Sequence, residues 1–221
     1  VVAIDGPSAS GKSTVAREVA RRLGVEYVDT GAMYRAVAWA AVQRGIDLAD
    51  EAGLGRLAAS LKIEQVDGGE GGRLLVDGTD VTEAIRSPEV SAAASIVSVV
   101  ADVREALVAR QRARAAQGGA VMEGRDIGTV VVPEADLKVF LDASLDARAR
   151  RRYDELWRRG IEISLEEVRR QVDARDHRDE TRAHSPLRAA PDAMVIDTTS
   201  RSPEQAVEMI LSLLRDRMGR A

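Results

Sequence analysis

The sequence predicts an α/β protein built on a five-stranded parallel sheet. Three observations predict it: short β-branched apolar runs recur along the 221 residues, helical-period segments separate them, and glycines mark the changeovers. Val1-Val2-Ala3-Ile4-Asp5 reads as a buried strand ending at Gly6. From Ser13 to Leu23 the apolar positions Val15, Ala16, Val19, Ala20 and Leu23 follow a helical period, and Gly24 stops it. Val25 to Val28 is a second strand, and Thr30 to Arg44 a second helix closed by Gly45. Strand, loop, helix, strand, helix is the signature of parallel pairing.

The pattern then changes. Leu61 to Val66 and Arg73 to Val76 are strand-like and flank Asp67-Gly68-Gly69-Glu70-Gly71-Gly72, so a hairpin with a glycine-rich tip is expected. Thr79 to Ile85 adds a third short strand, giving a small antiparallel insertion over 61–86 within a single domain of 1–221. Ser87-Pro88-Glu89 has the form of a helix start, and helix, in two pieces, is expected up to Gln117 before Gly118-Gly119. Ala120 to Glu123, Leu137 to Leu141 and Met194 to Ile196 complete the five strands. Helices are expected at Ser144 to Arg159 and at Ser164 to Arg182, the second opened by the capping box Ser164-x-x-Glu167. Ser202-Pro203-Glu204-Gln205 caps the last helix.

Composition narrows the function classes. Apolar residues make up 45% and charged residues 31%, the balance of an ordinary globular protein. No apolar stretch approaches the roughly 20 residues of a membrane helix, so no membrane partner is expected. Val1 to Ile4 is too short for a signal core, and the cysteine-free chain suits a reducing cytoplasm. A net charge of −4 argues against general nucleic-acid binding. Lys12, Lys62 and Lys138 are the only lysines, so arginine count alone carries no argument; position must.

One position is decisive. Gly6-Pro7-Ser8-Ala9-Ser10-Gly11-Lys12-Ser13 matches G-x-x-x-x-G-K-[ST] between a strand and a helix, the context that a phosphate-binding loop requires. Its glycines let successive N–H groups converge on phosphate oxygens, and the helix that follows adds the positive end of its dipole. The loop through Thr14 is therefore read as a nucleoside triphosphate site, with Lys12 reaching the β- and γ-phosphates and the Ser13 hydroxyl ligating Mg²⁺.

Three further segments carry a resemblance: Asp29-Thr30-Gly31-Ala32-Met33-Tyr34-Arg35, then Met122-Glu123-Gly124-Arg125-Asp126-Ile127-Gly128-Thr129, then Arg175-Asp176-His177-Arg178-Asp179-Glu180-Thr181-Arg182. With the phosphate loop and the inserted hairpin, the whole chain resembles the bacterial cytidylate kinases, P-loop enzymes that phosphorylate CMP and dCMP with ATP and Mg²⁺. The resemblance implies that Thr30, Tyr34 and Arg35 line the monophosphate site, with Arg35 and Arg125 on the acceptor phosphate and Asp126 reading the cytosine amino group. By the same resemblance Ser95 and Arg104 contact the base, Arg175 and Asp179 the sugar, Arg182 a phosphate, residues 151–182 form a helical lid, and Arg151 lies on its ATP side. Lys12, Arg125 and Arg182 are then the catalytic set. Thr30 stands where many relatives have Ser, and keeps the hydroxyl. Glu123 stands where many have Asp, keeping a carboxylate for Mg²⁺-bound water at one methylene more.

The chemistry suits these residue types. A phosphate monoester is mostly a dianion at neutral pH, so the acceptor needs no general base. The difficulty is repulsion between two phosphates, and a guanidinium, always charged and bidentate, answers it. Other readings remain at this stage: a related kinase acting on UMP, AMP or a small alcohol, or a nucleotide-dependent switch, against which no [NT]-K-x-D sequence occurs. Arg158 and Arg159, four residues after Asp154 and Glu155, suit surface ion pairs with them, His177 and His184 read as surface residues, Trp39 and Trp157 as core or lid packing, and a monomer is expected.

Overall fold

The computed structural model describes residues 1–66 and 72–218. Most of the expected hairpin tip, 67–71, lies outside the described residues. The first strand, β1 (Val2–Asp5), leads through the phosphate loop into α1 (Lys12–Leu23), followed by β2 (Glu26–Asp29) and α2 (Thr30–Gln43). Then come α3 (Glu51–Ser60), β3 (Ile63–Val66), β4 (Arg73–Val76), β5 (Thr79–Asp80), a short 3₁₀ turn (Ala84–Arg86), α4 (Pro88–Val97) and α5 (Ala101–Ala115). The remainder is β6 (Ala120–Gly124), a π-helical turn (Ile127–Val131), β7 (Leu137–Asp142), α6 (Leu145–Arg158), α7 (Leu165–Thr181), β8 (Met194–Asp197) and α8 (Pro203–Met218).

The five expected core strands form one sheet in the order β2-β6-β1-β7-β8. β1 is paired parallel on both sides, Ile4 opposite Glu123 of β6 and Val139 of β7, and β8 runs parallel to β7. Central placement explains why every residue of β1, Asp5 included, is buried. The inserted strands form a separate antiparallel sheet, β3-β4-β5. Its third strand is shorter than expected: pairing ends at Asp80, where the carboxylate accepts from the Thr82 N–H (3.0 Å) and hydroxyl (2.6 Å) and turns the chain away.

Two compact units result, Val1–Tyr27 with Gly118–Ala221, and Val28–Gln117. In the first, Val2, Ile4, Val15, Val19, Leu137, Leu141 and Ile210 build the core. Within this unit α6 and α7 share an apolar seam of their own, Leu156 against Val168 and Val172. In the second unit α2 to α5 pack around Leu54, Leu57, Val97, Val103 and Leu107.

Helix ends follow the sequence signals. Ser164 accepts from the Glu167 N–H (3.1 Å), Ser87 from Val90 (3.1 Å), and Ser202 and Gln205 bond reciprocally (3.2 and 2.9 Å). The helix α3 has no counterpart in the sequence reading, because Gly53 and Gly55 lower helix propensity there. Both glycines have packing reasons. A Cβ at Gly53 would meet the capping carboxylate of Asp50 at 2.2 Å, and one at Gly55 would meet Asp102 Cβ on α5 at 2.6 Å. Trp39 packs against the second core as expected, whereas Trp157 is 61% exposed and only stacks on Tyr153, one helical turn earlier.

Candidate active site

In the first unit the phosphate loop is shaped by three unusual backbones: Gly6 at φ 148°, Ala9 at 58° and Gly11 at 94°, the last capping α1. For Ala9, an L-residue, this left-handed geometry costs about 1–2 kcal/mol. A Cβ at Gly6 would lie 2.0 Å from the Leu141 carbonyl oxygen, so only glycine fits where β1 passes into the loop. Lys12 is buried and curls back to donate to the Pro7 carbonyl (2.5 Å) and Ser10 Oγ (3.3 Å).

Around the loop stand residues that the sequence reading did not single out, among them Thr198, Asp5, Tyr27 and Arg148, together with some that it did. The Thr198 hydroxyl donates to the Ser10 carbonyl (3.0 Å). Arg151, expected on the ATP side, donates to Thr198 Oγ1 (3.1 Å) and to the Thr198 carbonyl (2.5 Å), which places it on the support of the loop. Asp5 accepts from the backbone N–H groups of Ile127 and Gly128, both at 2.8 Å, and so ties the strand before the loop to the turn after Arg125 and Asp126. Tyr27 donates to Glu123 (2.5 Å) and thereby orients that carboxylate. Arg148 and Asp176 form a buried ion pair against Ser8. A charge on an otherwise apolar strand was the only sequence signal for Asp5; the others depend on partners distant in sequence.

The first unit brings together several of the residues expected on the acceptor side. Arg125 Nε donates to Asp179 (2.9 Å), and Arg182 lies 3.9 Å from Asp126 and 4.0 Å from Asp179. Arg175, Asp179 and Arg182 occupy the inner side of α7 and its end, while Arg178 and His177 face solvent. Burial raises the Asp179 pKa, but the Arg125, Arg175 and Arg182 guanidiniums outweigh it and hold the carboxyl below its usual range. Arg125 is likewise disfavoured by burial, yet Asp179 beside it keeps it charged above its ordinary range.

The same cations act on Lys12. Burial first, then Arg125 and Arg175, lower its pKa from 10.5 to about 7, against the opposing pull of Glu123 and Asp5. An unfolded chain keeps this proton up to the ordinary lysine range, so Lys12 adds stability as pH rises from about 7 to about 10. A polyphosphate beside Lys12 favours the charged form. Binding of ATP near pH 8 is therefore expected to take up about one proton, and much less near pH 6, readable as buffer-dependent heats in titration calorimetry. Equal heats in buffers of different ionisation enthalpy near pH 8 would contradict this.

The second unit holds the remaining residues. Asp29 caps α2 through the Ala32 N–H (2.8 Å) and pairs with Arg35 Nη2 (2.8 Å), and its carbonyl accepts from Gln65 (2.7 Å). Arg35 Nε is buried with no hydrogen-bond partner among the described residues, a donor suited to an anion. Thr30 and Tyr34, four residues apart, share its helix. Arg104 lies over the Tyr34 ring (5.6 Å) and donates to the Ser98 carbonyl (3.2 Å), and both Arg104 and Ser95 are buried.

A family model described as cytidylate kinase matches residues 2–216. The chain belongs to the cytidylate kinase family. A cytidylate kinase of Desulfitobacterium hafniense is 54% identical over 98% of this chain and 93% of its own length. One from Geobacillus kaustophilus is 49% identical over 99% and 97%. Among solved structures, an uncharacterized protein from Eubacterium ventriosum gives a TM-score of 0.54 at 13% identity over 97% of both chains, a likeness of fold alone. As a cytidylate kinase family member the chain has an α/β kinase fold, and no helix among its described residues is long and apolar enough to cross a membrane.

Mg²⁺ fits the donor set of the first unit. It prefers oxygen ligands and keeps several waters and substrate phosphate oxygens, so it needs only one or two protein groups. Ser13, exposed at the start of α1, and the Tyr27-oriented Glu123 are hard oxygen donors of that kind. Among the described residues no cluster of three or more His, Asp or Glu offers a larger cage.

Proposed function

We propose that the chain transfers the γ-phosphoryl group of ATP to the phosphate of CMP or dCMP, giving ADP and CDP or dCDP. The family match across nearly the whole chain carries this reading, together with a donor loop in which a buried lysine stands beside two arginines. In this account the amides of 8–14 and Lys12 hold the ATP phosphates, with Gly6, Pro7 and Gly11 setting the curve of the loop. Ser13 and Glu123, the latter through water, would hold Mg²⁺, which when bound neutralises charge on the β- and γ-phosphates. Arg35, Arg125 and Arg182 take the acceptor phosphate, with Thr30 and Tyr34 lining its site. Asp126, Ser95 and Arg104 read cytosine, and Arg175 and Asp179 contact the sugar. Arg151 supports the ATP side through Thr198.

The acceptor phosphate is already a dianion, so no side chain has to remove a proton from it. The residues act by position and charge: cations relieve repulsion between the phosphates while α6 and α7, the proposed lid, exclude water. The enzyme is further proposed to act as a cytoplasmic monomer, a setting its cysteine-free composition suits.

A coupled assay of ADP release with ATP and a panel of acceptors tests the reading. Turnover with CMP and dCMP is expected to exceed that with AMP or shikimate by about 10³-fold or more in kcat/KM. Strong turnover with AMP or shikimate and none with CMP would overturn it.

A further inference from the structure

Ser8 is held from both sides of its peptide. Its N–H donates to Asp176 Oδ1 (3.3 Å), and its carbonyl accepts from Arg148 Nη1 (3.3 Å). The two side chains form an ion pair with each other, and Arg148 Nε also donates to the Ala143 carbonyl (2.8 Å). Both residues are more than nine-tenths buried, at 8% and 6% exposure. A buried ion pair persists where further hydrogen bonds satisfy it, and here the extra partners are backbone groups, two of them on the phosphate loop. Arg148 comes from α6 and Asp176 from α7, two helices fixed by the Leu156, Val168 and Val172 seam. The next residue, Ala9, has the left-handed backbone that L-residues disfavour.

We propose that Arg148 and Asp176 are positioning residues for ATP: by clamping Ser8 they hold the left-handed turn at Ala9, and so aim the loop amides at the phosphates. The proposal rests on the reading of 6–13 as the ATP loop. A loop released from the clamp relaxes into ordinary backbone at Ala9, and only the fraction in the competent shape binds nucleotide. Glycine at position 9 adopts the left-handed shape without that handicap, so it makes the clamp less necessary.

The test is ATP affinity measured by calorimetry without acceptor, alongside KM for both substrates. Asp176→Asn is expected to weaken ATP binding about tenfold while KM for CMP stays within about twofold. Placing Ala9→Gly beneath it is expected to shrink that tenfold effect to about threefold or less, measured as a double-mutant cycle. Arg148→Lys keeps the charge but cannot serve Asp176, Ser8 and Ala143 together, and is expected to weaken ATP binding about threefold. This second variant decides the matter if Asp176→Asn does not fold.

Unchanged ATP affinity in the folded variants would overturn the proposal, as would an equal rise in both KM values or an effect of the same size in the Ala9→Gly background. Failure of the wild-type protein itself to bind ATP would instead overturn the reading of the loop.

Discussion

Arg125→Ala is expected to lower kcat with CMP by about 10³-fold while ATP affinity changes by about threefold or less. Arg125 is proposed to grip the acceptor phosphate, so its loss removes charge that matters most as the phosphates meet. The effect reaches further, because its Nε also pairs with the buried Asp179. Without that guanidinium, Asp179 still has the charges of Arg175 and Arg182 to offset its own. Lys12 responds as well: Arg125 is one cause of its depressed pKa, so proton uptake on ATP binding near pH 8 should diminish in the variant. Arg125→Lys, which keeps charge but loses the two-pronged grip, should recover part of the turnover. Steady-state kinetics and calorimetry on both variants check these outcomes. Near-normal turnover of Arg125→Ala with CMP would remove this residue from the acceptor site.

Gly6→Ala is expected to destabilise the protein by roughly 3–5 kcal/mol, a fall in melting temperature on the order of 10 °C. Two costs coincide. The backbone at Gly6 has φ 148°, and an added Cβ would sit 2.0 Å from the carbonyl oxygen of Leu141 and 3.0 Å from its carbon. That obstacle is the backbone of an inner strand, β7, which cannot swing aside as a flexible side chain can. Relief requires β1 and the phosphate loop to shift, so ATP affinity should fall with stability. A variant that melts and binds ATP like the wild type would refute the close approach of Gly6 to Leu141.

The opening of the fold was legible because local signals agree there: β-branched runs, helical periodicity and glycines at φ values that favour them, as at Gly24 and Gly45. The reading failed where tertiary packing overrode propensity. Gly53 and Gly55 argue against a helix, yet α3 forms because they admit the Asp50 cap and the close passage of Asp102. The candidate site residues divide the same way. Arg125, Asp126, Arg175 and Asp179 stand in compact sequence motifs and could be named in advance. Asp5, Tyr27, Arg148, Asp176 and Thr198 owe their roles to partners that only the fold supplies: Asp5 is bonded to Ile127 and Gly128, and Thr198 to Ser10. Asp176 lay within a recognised motif, but its bond to Ser8 spans 168 positions and leaves no local trace. Asp154 and Glu155 do form surface pairs, but with Arg150 and Arg152 one turn earlier rather than with the expected Arg158 and Arg159, and pairs so exposed contribute about 1 kcal/mol at most.

The central claim is that guanidinium groups, one lysine and the loop amides let two phosphates meet without a proton acceptor. A crystal structure with CMP and a non-hydrolysable ATP analogue tests it most directly. The account predicts nitrogens of Arg35, Arg125 and Arg182 within about 3 Å of the acceptor phosphate oxygens, and no carboxylate oxygen at that distance. Those three side chains turned away from the acceptor phosphate, or a carboxylate hydrogen-bonded to it, would contradict the account.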